Sequence, residues 1–196
     1  MKTIIQIGVA NAEDHVRDFV VKTPNDYFVY LVEPVKESNT FIESAYSFTP
    51  NKSIFNFAIS NTNGYLDLFY NTESGGNNQH ASVNYNHLVV HGNPIDFIQK
   101  IKVPCIDLNT LINFIIKQKE IEYLFIDTEG HDCDILLNTN FSYFDIKNII
   151  FEYTHTDGPF DKGQKYENTK QHLMSFGYIE NSKSEFNNSN NVCFTK

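Results

Sequence analysis

The sequence predicts a doubly wound α/β fold: a mostly parallel sheet with an antiparallel C-terminal edge. Three observations point there. Short apolar runs alternate with helical patterns along nearly the whole chain. Several of those runs are apolar at successive positions rather than at every second one, as in strands covered on both faces. The ending GYIENSKSEFNNSNNVCFTK reads as two strands around a polar loop, which suits an antiparallel addition at a sheet edge. At 196 residues, with no linker and no internal repeat, the chain is expected to be a single domain with its own core.

The elements follow in order. Residues 3–9 (TIIQIGV) are the first strand, and 13–22 a helix whose opening acids, Glu13 and Asp14, suit its dipole. Residues 28–33 (FVYLVE) form the second strand, 37–46 a helix, and 53–60 (SIFNFAIS) the third strand. Asn63-Gly64 is a tight-turn signal, so that strand is expected to turn back on YLDLFY as a hairpin. In 107–118, Leu108, Leu111, Ile112 and Ile115 share one helical face behind Asp107 as N-cap. Strands at 122–128 (EYLFIDT) and 146–153 (IKNIIFEY) are followed by helices at 130–137 and 164–176. Residues 71–94 are the one long irregular stretch, of a length usually functional or disordered. We read it as a lid over the site, with Gly75 and Gly76 supplying its mobility.

Composition narrows the function. A formal net charge of −9 disfavours a broad nucleic-acid surface, because little is available to neutralise a track of phosphates. No run approaches the ~20 apolar residues of a membrane span. The first residues faintly resemble a signal peptide, but the apolar stretch is short, interrupted by Gln6, and flanked only by Lys2. An intracellular, cytoplasmic protein is expected, with Cys105, Cys133 and Cys193 as reduced structural thiols.

Residues 4–19, IIQIGVANAEDHVRDF, look like the strand, loop and helix of a nucleotide-binding unit with one glycine where the dinucleotide fingerprint has three. Gly8 with Val9, Ala10, Asn11 and Ala12 brings backbone close to a ligand without forming a tight diphosphate cradle. Glu13 and Asp14 would repel a pyrophosphate. Glu33 follows Gly8 by about twenty-five residues, the place from which a carboxylate accepts hydrogen bonds from both ribose hydroxyls. A nucleoside without phosphates is expected, with S-adenosylmethionine preferred over NAD. A Rossmann-like sheet with a disused site is the competing reading.

Asp127 and Glu129 lie two residues apart at a strand end, so both face one side if the strand stays regular. Burying both unpaired in a helix layer is costly, which favours the cleft. Asp127 is then placed to orient an acceptor or take its proton, and Glu129 to do the same or hold the helix start. Glu152 and His155 sit at the same sheet edge, and His155 is a second base candidate. The expected catalytic set is Asp127, Glu129 and His155. A metal held by Asp127, Glu129, His131, Asp132, Glu152 and His155 is an alternative, and none is assigned. His80, His87 and His91 show no regular ligand spacing.

Taken in order, IIQIGVANAEDHVRDF, VYLVEPVKESNTFIESAY, FNFAISNTNGYLDLFY, VPCIDLNTLI and IEYLFIDTEGHDCDIL resemble the FkbM-type methyltransferases over residues 3 to 155. LFIDTEGHDCDIL is the most specific element, and QIGVANAED is similar to that family's QIGANDG variant. The resemblance implies a class I, Rossmann-like, S-adenosylmethionine-dependent methyltransferase. It further implies O-methylation of a hydroxyl on a sugar or related small metabolite, hence a small-molecule or glycan acceptor. Ser82 matches a serine that the family tends to place near the cofactor. The expected cofactor-binding set is Gln6, Gly8, Val9, Ala10, Asn11, Glu33, Pro34, Ala58, Ile59, Ser82 and Asp127. The chain departs from the pattern at Ala10, Asn11 and Ala12, and Phe125 stands where lysine is usual. If Ala12 takes a positive φ, it costs roughly 1 kcal/mol or more. These departures motivate the competing reading of a methyltransferase-like binding or scaffold protein without catalysis.

Overall fold

The computed structural model describes residues 1–74 and 78–196. Its main sheet has seven strands. They are β1 (Lys2–Ile7), β2 (Tyr27–Val32), β3 (Lys52–Phe55), β7 (Glu120–Ile126), β8 (Asp145–Glu152), β9 (Ile179–Glu180) and β10 (Asn191–Thr195), in spatial order β3-β2-β1-β7-β8-β10-β9. The first five in that order run parallel, and β10 lies antiparallel to both β8 and β9. The predicted fold class and its antiparallel C-terminal edge are therefore observed.

Alternation along β1 builds the two faces. Ile5 and Ile7 join the cluster that includes Leu111, Leu136 and Leu173. Ile4 packs on the other face with Val16, Val20, Ile42 and Tyr46. The first layer draws on α4 (Leu108–Thr110), which runs on as a π-helical segment Leu111–Ile116, and on α5 (Asp132–Leu137) and α6 (Gln164–Ser175). The second draws on α1 (His15–Val20) and α2 (Asn39–Ala45). The expected N-cap forms, Asp107 accepting from the Thr110 N–H at 2.7 Å; Asp14, read from the sequence only as an acid suiting the dipole, also caps α1, accepting from the Val16 and Arg17 N–H groups at 2.9 Å. Cys105, Cys133 and Cys193 are buried free thiols. Among the described residues no helix is long and apolar enough to cross a membrane.

Three expectations need correction. The run 53–60 is two strands: β3 stays in the main sheet, whereas β4 (Ala58–Ser60) enters a second one. The hairpin across Asn63-Gly64 does not form, because β4 and β5 (Gly64–Asn71) both pair with β6 (Ile98–Asp107), which lies between them. Asn63 is stitched to β6: its amide donates to Asp107 Oδ2 at 2.7 Å and its Oδ1 accepts the Asp107 N–H at 2.9 Å. β6 itself reads poorly as a strand, since lysines and Pro104 interrupt it. Pro104, with no N–H to give, comes just before the residues that pair with β4. Finally, 71–94 is not wholly irregular, for it holds α3 (Tyr85–Val90), N-capped by Asn84. Gly75 and Gly76 lie outside the described residues.

Candidate active site

The strand order reverses beside β1, and ligands of open α/β sheets bind in the crevice at the carboxyl ends of strands at such a point. A cleft of about 290 Å³ opens there, at the lower edge of the usual range for small-molecule sites. Of the residues expected at the cofactor, Gly8, Val9, Ala10, Asn11, Glu33, Pro34, Ala58, Ile59 and Asp127 line it, as does Glu129. Asn78, Gln79, His80, Ala81 and Val83 complete the wall from the segment read as a lid.

Gly8 holds a φ of +76°, and a Cβ there would sit 1.7 Å from the Asp127 carbonyl oxygen. Only glycine lets the first and seventh strands end so close together. Ala10 and Ala12 also take positive φ, +48° and +58°, so the condition for strain at Ala12 is met. The carboxylate of Glu33 holds this loop. Its Oε2 accepts the Val9 and Ala10 N–H groups at 3.1 and 2.9 Å, and its Oε1 accepts the Val35 N–H at 2.8 Å. Burial pushes the Glu33 carboxyl above its ordinary value, and the three backbone donors pull against that. Among the described residues Oε1 accepts this one bond, which leaves it an acceptor position for a ligand.

Asp127 is open to the cleft and walled by protein on its other sides. Burial first, then the charges of Glu152, Asp132 and Asp14, hold its carboxyl well above the carboxylate range. Glu129 does not continue a regular strand: β7 stops at Ile126, and Glu129 has a φ of +55°. Its side chain reaches the cleft nonetheless, because this left-handed residue and Gly130 (φ +101°) swing the chain toward α5. Burial, then Asp127, Glu152 and Asp132, raise its carboxyl as well.

Two expected cofactor contacts lie elsewhere. Gln6 is buried beneath the loop, donating to Asp14 Oδ2 at 2.6 Å and accepting from the Tyr46 hydroxyl at 3.2 Å. Ser82 is fully buried, and its hydroxyl donates to the Glu129 carbonyl at 2.8 Å. Phe125, at the family's lysine position, is a core residue against Phe186. His155 is off the cleft wall and buried, its Nε2 3.5 Å from Glu152 Oε1.

Of the six residues weighed as metal ligands, the structure brings Glu129, Glu152 and His155 together and sends the others elsewhere. Asp132 accepts from the Thr128 hydroxyl and N–H, while His131 contacts Ser60 and Asp134. The trio is joined by His87 and His91. His87 Nε2 lies 2.6 Å from Glu129 Oε2, and the His87 ring is 4.2 Å from that of His91 and 4.6 Å from that of His155. Burial, then the neighbouring His91, His155 and His80, push the His87 imidazole down to about 3. The signal available in the sequence was the four-residue spacing of His87 and His91, legible only once a helix is placed there.

Comparison with known proteins agrees with this architecture. The family described as Methyltransferase FkbM domain matches residues 6–182. Among solved structures, methyltransferase FkbM from Methylobacillus flagellatus KT aligns with a TM-score of 0.61 at 8% identity, covering 100% of this chain and 43% of that one. The Methanococcus jannaschii fibrillarin pre-rRNA processing protein aligns with a TM-score of 0.51 at 12% identity, covering 98% and 64%. Identities this low show a shared fold, and the chain spans less than two thirds of either structure's length. No curated protein matches it.

Proposed function

The chain belongs to the FkbM methyltransferase family, and from that premise we propose that it transfers a methyl group from S-adenosylmethionine to a hydroxyl of a small-molecule or glycan acceptor. The observation that carries this reading is the acidic lining of the cleft, whose carboxyls are held toward the neutral form when it is empty and are drawn to ionise by a bound cation. Glu13, Asp14, Glu33, Asp127 and Glu129 line it, and among the described residues no lysine or arginine does. Such a wall suits a nucleoside bearing a cation and repels a dinucleotide's pyrophosphate. The close-packed Gly8 loop and the spare acceptor position of Glu33 Oε1 fit the ribose end of the same ligand.

S-adenosylmethionine, when bound, supplies an electrophilic methyl group on a sulfonium. The protein's part is alignment and proton removal. Glu33 holds the Val9–Ala10 backbone and the ribose. Asp127, open to the cleft and more basic than a surface aspartate, accepts the acceptor hydroxyl's proton on a carboxylate oxygen. Ala10 and Ala12 already hold the left-handed backbone that the glycine-bearing family pattern favours, so their presence does not by itself argue for a disused loop.

Calorimetric titration with S-adenosylmethionine, S-adenosylhomocysteine and NAD tests the reading. The first two are expected to bind and NAD not. Failure of both sulfur nucleosides to bind a folded chain favours the scaffold reading instead.

A further inference from the structure

The histidine cluster beside the cleft is not used by the reaction just described. α3 presents His87 and His91 on one face, four residues apart, and the His87 ring meets His155 just beyond β8. The donor atoms of His87, His91 and His155 lie within 4.8 Å of one another, and so do those of Glu129, Glu152 and His155. Two atoms in this cluster, His87 Nε2 and Glu152 Oε2, are buried without a hydrogen bond among the described residues. His87 is 1% exposed, and the Glu152 side chain 10%. The 2.6 Å approach of Glu129 Oε2 to His87 Nε2 is too far out of line to satisfy that nitrogen. Buried polar atoms are rarely left so, and each calls for a partner.

The neighbouring hydrogen bonds select ligand atoms. His91 Nδ1 lies 2.9 Å from the His87 carbonyl oxygen, so Nδ1 carries the proton and Nε2 keeps its lone pair. His155 is set the other way: its Nδ1 accepts the Phe160 N–H at 2.9 Å, which puts the ring proton on Nε2, facing Glu152. His155 is therefore a donor that holds Glu152. Carboxylates and imidazoles around metals are commonly oriented by such outer contacts.

We propose that His87 Nε2, His91 Nε2, Glu129 and Glu152 bind one divalent first-row transition-metal ion, with His155 positioning Glu152. Two imidazoles with two carboxylates suit zinc, manganese, iron or cobalt, whereas magnesium prefers oxygen ligands and retained water. Metal–ligand bonds of about 2.0–2.2 Å space the donors about 3–4 Å apart. The two groups are bridged by the 2.6 Å approach of His87 Nε2 to Glu129 Oε2, and they must draw together for all four donors to meet one ion. Glu129 also lines the cleft, which places the ion where it would meet an acceptor hydroxyl and make it more acidic. That consequence rests on the methyltransferase reading, but the binding itself does not.

The test uses the purified 196-residue chain, stripped with a chelator and titrated separately with Zn²⁺, Mn²⁺, Co²⁺ and Mg²⁺. One equivalent of a transition-metal ion is expected to bind, at least ~100-fold tighter than Mg²⁺. His91→Ala and Glu152→Gln should each weaken binding at least ~10-fold, and His155→Gln by about 10- to 100-fold. Broadening of the His87 and His91 ring-proton resonances by Mn²⁺ in the unmutated chain supplies the same answer should a variant not fold. Absence of stoichiometric binding in the folded chain overturns the proposal, as does unchanged affinity in a folded His91→Ala, Glu152→Gln double variant. S-adenosylhomocysteine binding on the same samples separates the two readings: cofactor without metal removes this site alone, and metal without cofactor supports it while removing the methyl-transfer reading.

Discussion

Ser82 and Glu129 are joined by a hydrogen bond of 2.8 Å from the serine hydroxyl to the glutamate carbonyl, tying the wall segment to the left-handed turn after β7. The same hydroxyl oxygen accepts the Asn84 N–H at 3.1 Å, just before α3. Ser82→Ala leaves the part-buried Glu129 carbonyl and the Asn84 N–H each short of a bond and is expected to destabilise the protein by ~1–2 kcal/mol. Turnover should fall with little change in S-adenosylhomocysteine affinity. Denaturant melts and calorimetry check this, and a loss of cofactor affinity without a loss of stability would mean that Ser82 touches the cofactor directly.

Glu33→Ala should weaken S-adenosylhomocysteine binding by ~1.5–3 kcal/mol, the range for hydrogen bonds to a charged group. Glu33→Gln is not expected to restore it. Whichever oxygen becomes an amide then points N–H groups at backbone donors, Val35 on one side or Val9 and Ala10 on the other. Wild-type affinity in either folded variant removes Glu33 from the cofactor site.

The two left-handed alanines should respond differently to glycine. At Ala10, half-buried, relief of ~1–2 kcal/mol of backbone strain exceeds the ~0.4–1 kcal/mol of added unfolded-state entropy, so Ala10→Gly is expected to stabilise. At the fully buried Ala12 the lost methyl costs a further ~0.8 kcal/mol, which brings Ala12→Gly close to neutral. Paired urea melts measure the difference, and an opposite order shows that the strain is not where φ places it.

Asp127→Asn keeps the side chain's size and loses its basicity. Turnover on a methyl acceptor is expected to fall at least ~100-fold, the lower end for a lost general base, with cofactor affinity changed far less. Steady-state kinetics beside calorimetry decide it. Normal turnover in Asp127→Asn, with inactive Glu152 or His155 variants, moves proton removal to the β8 edge.

Asp134 governs part of the acid stability. Burial alone would raise its carboxyl, but the contacts with His131 at 3.3 Å and Lys165 at 2.9 Å outweigh that and hold it below 3.8. A depressed folded-state value contributes stability above the unfolded value that is lost as pH falls through the folded one. The side chain is 30% exposed, so Asp134→Asn is expected to cost only ~0.5–1 kcal/mol near neutrality. The gap to wild type should close as pH falls through and below the ordinary aspartate range. Urea melts across that range check it, and a gap independent of pH assigns the effect to packing.

The sequence by itself determined the parallel strands, most of the helices and the Gly8–Glu33 half of the cleft. Those features are local or periodic: an apolar run as β1, an acid at the first turn as Asp14, a carboxylate at the end of β2. Tertiary structure decided the rest. β6 is hidden by its lysines and Pro104, and it forms because β4 and β5 flank it and Asn63 clamps its end. Ser82 fits the family's serine position, yet its hydroxyl turns to the Glu129 carbonyl because a hydroxyl on so buried a residue needs a partner. His87, His91, Glu129, Glu152 and His155 span 69 positions from first to last in the chain. No spacing rule gathers them, because only the packing of α3 near the end of β8 brings their side chains within reach.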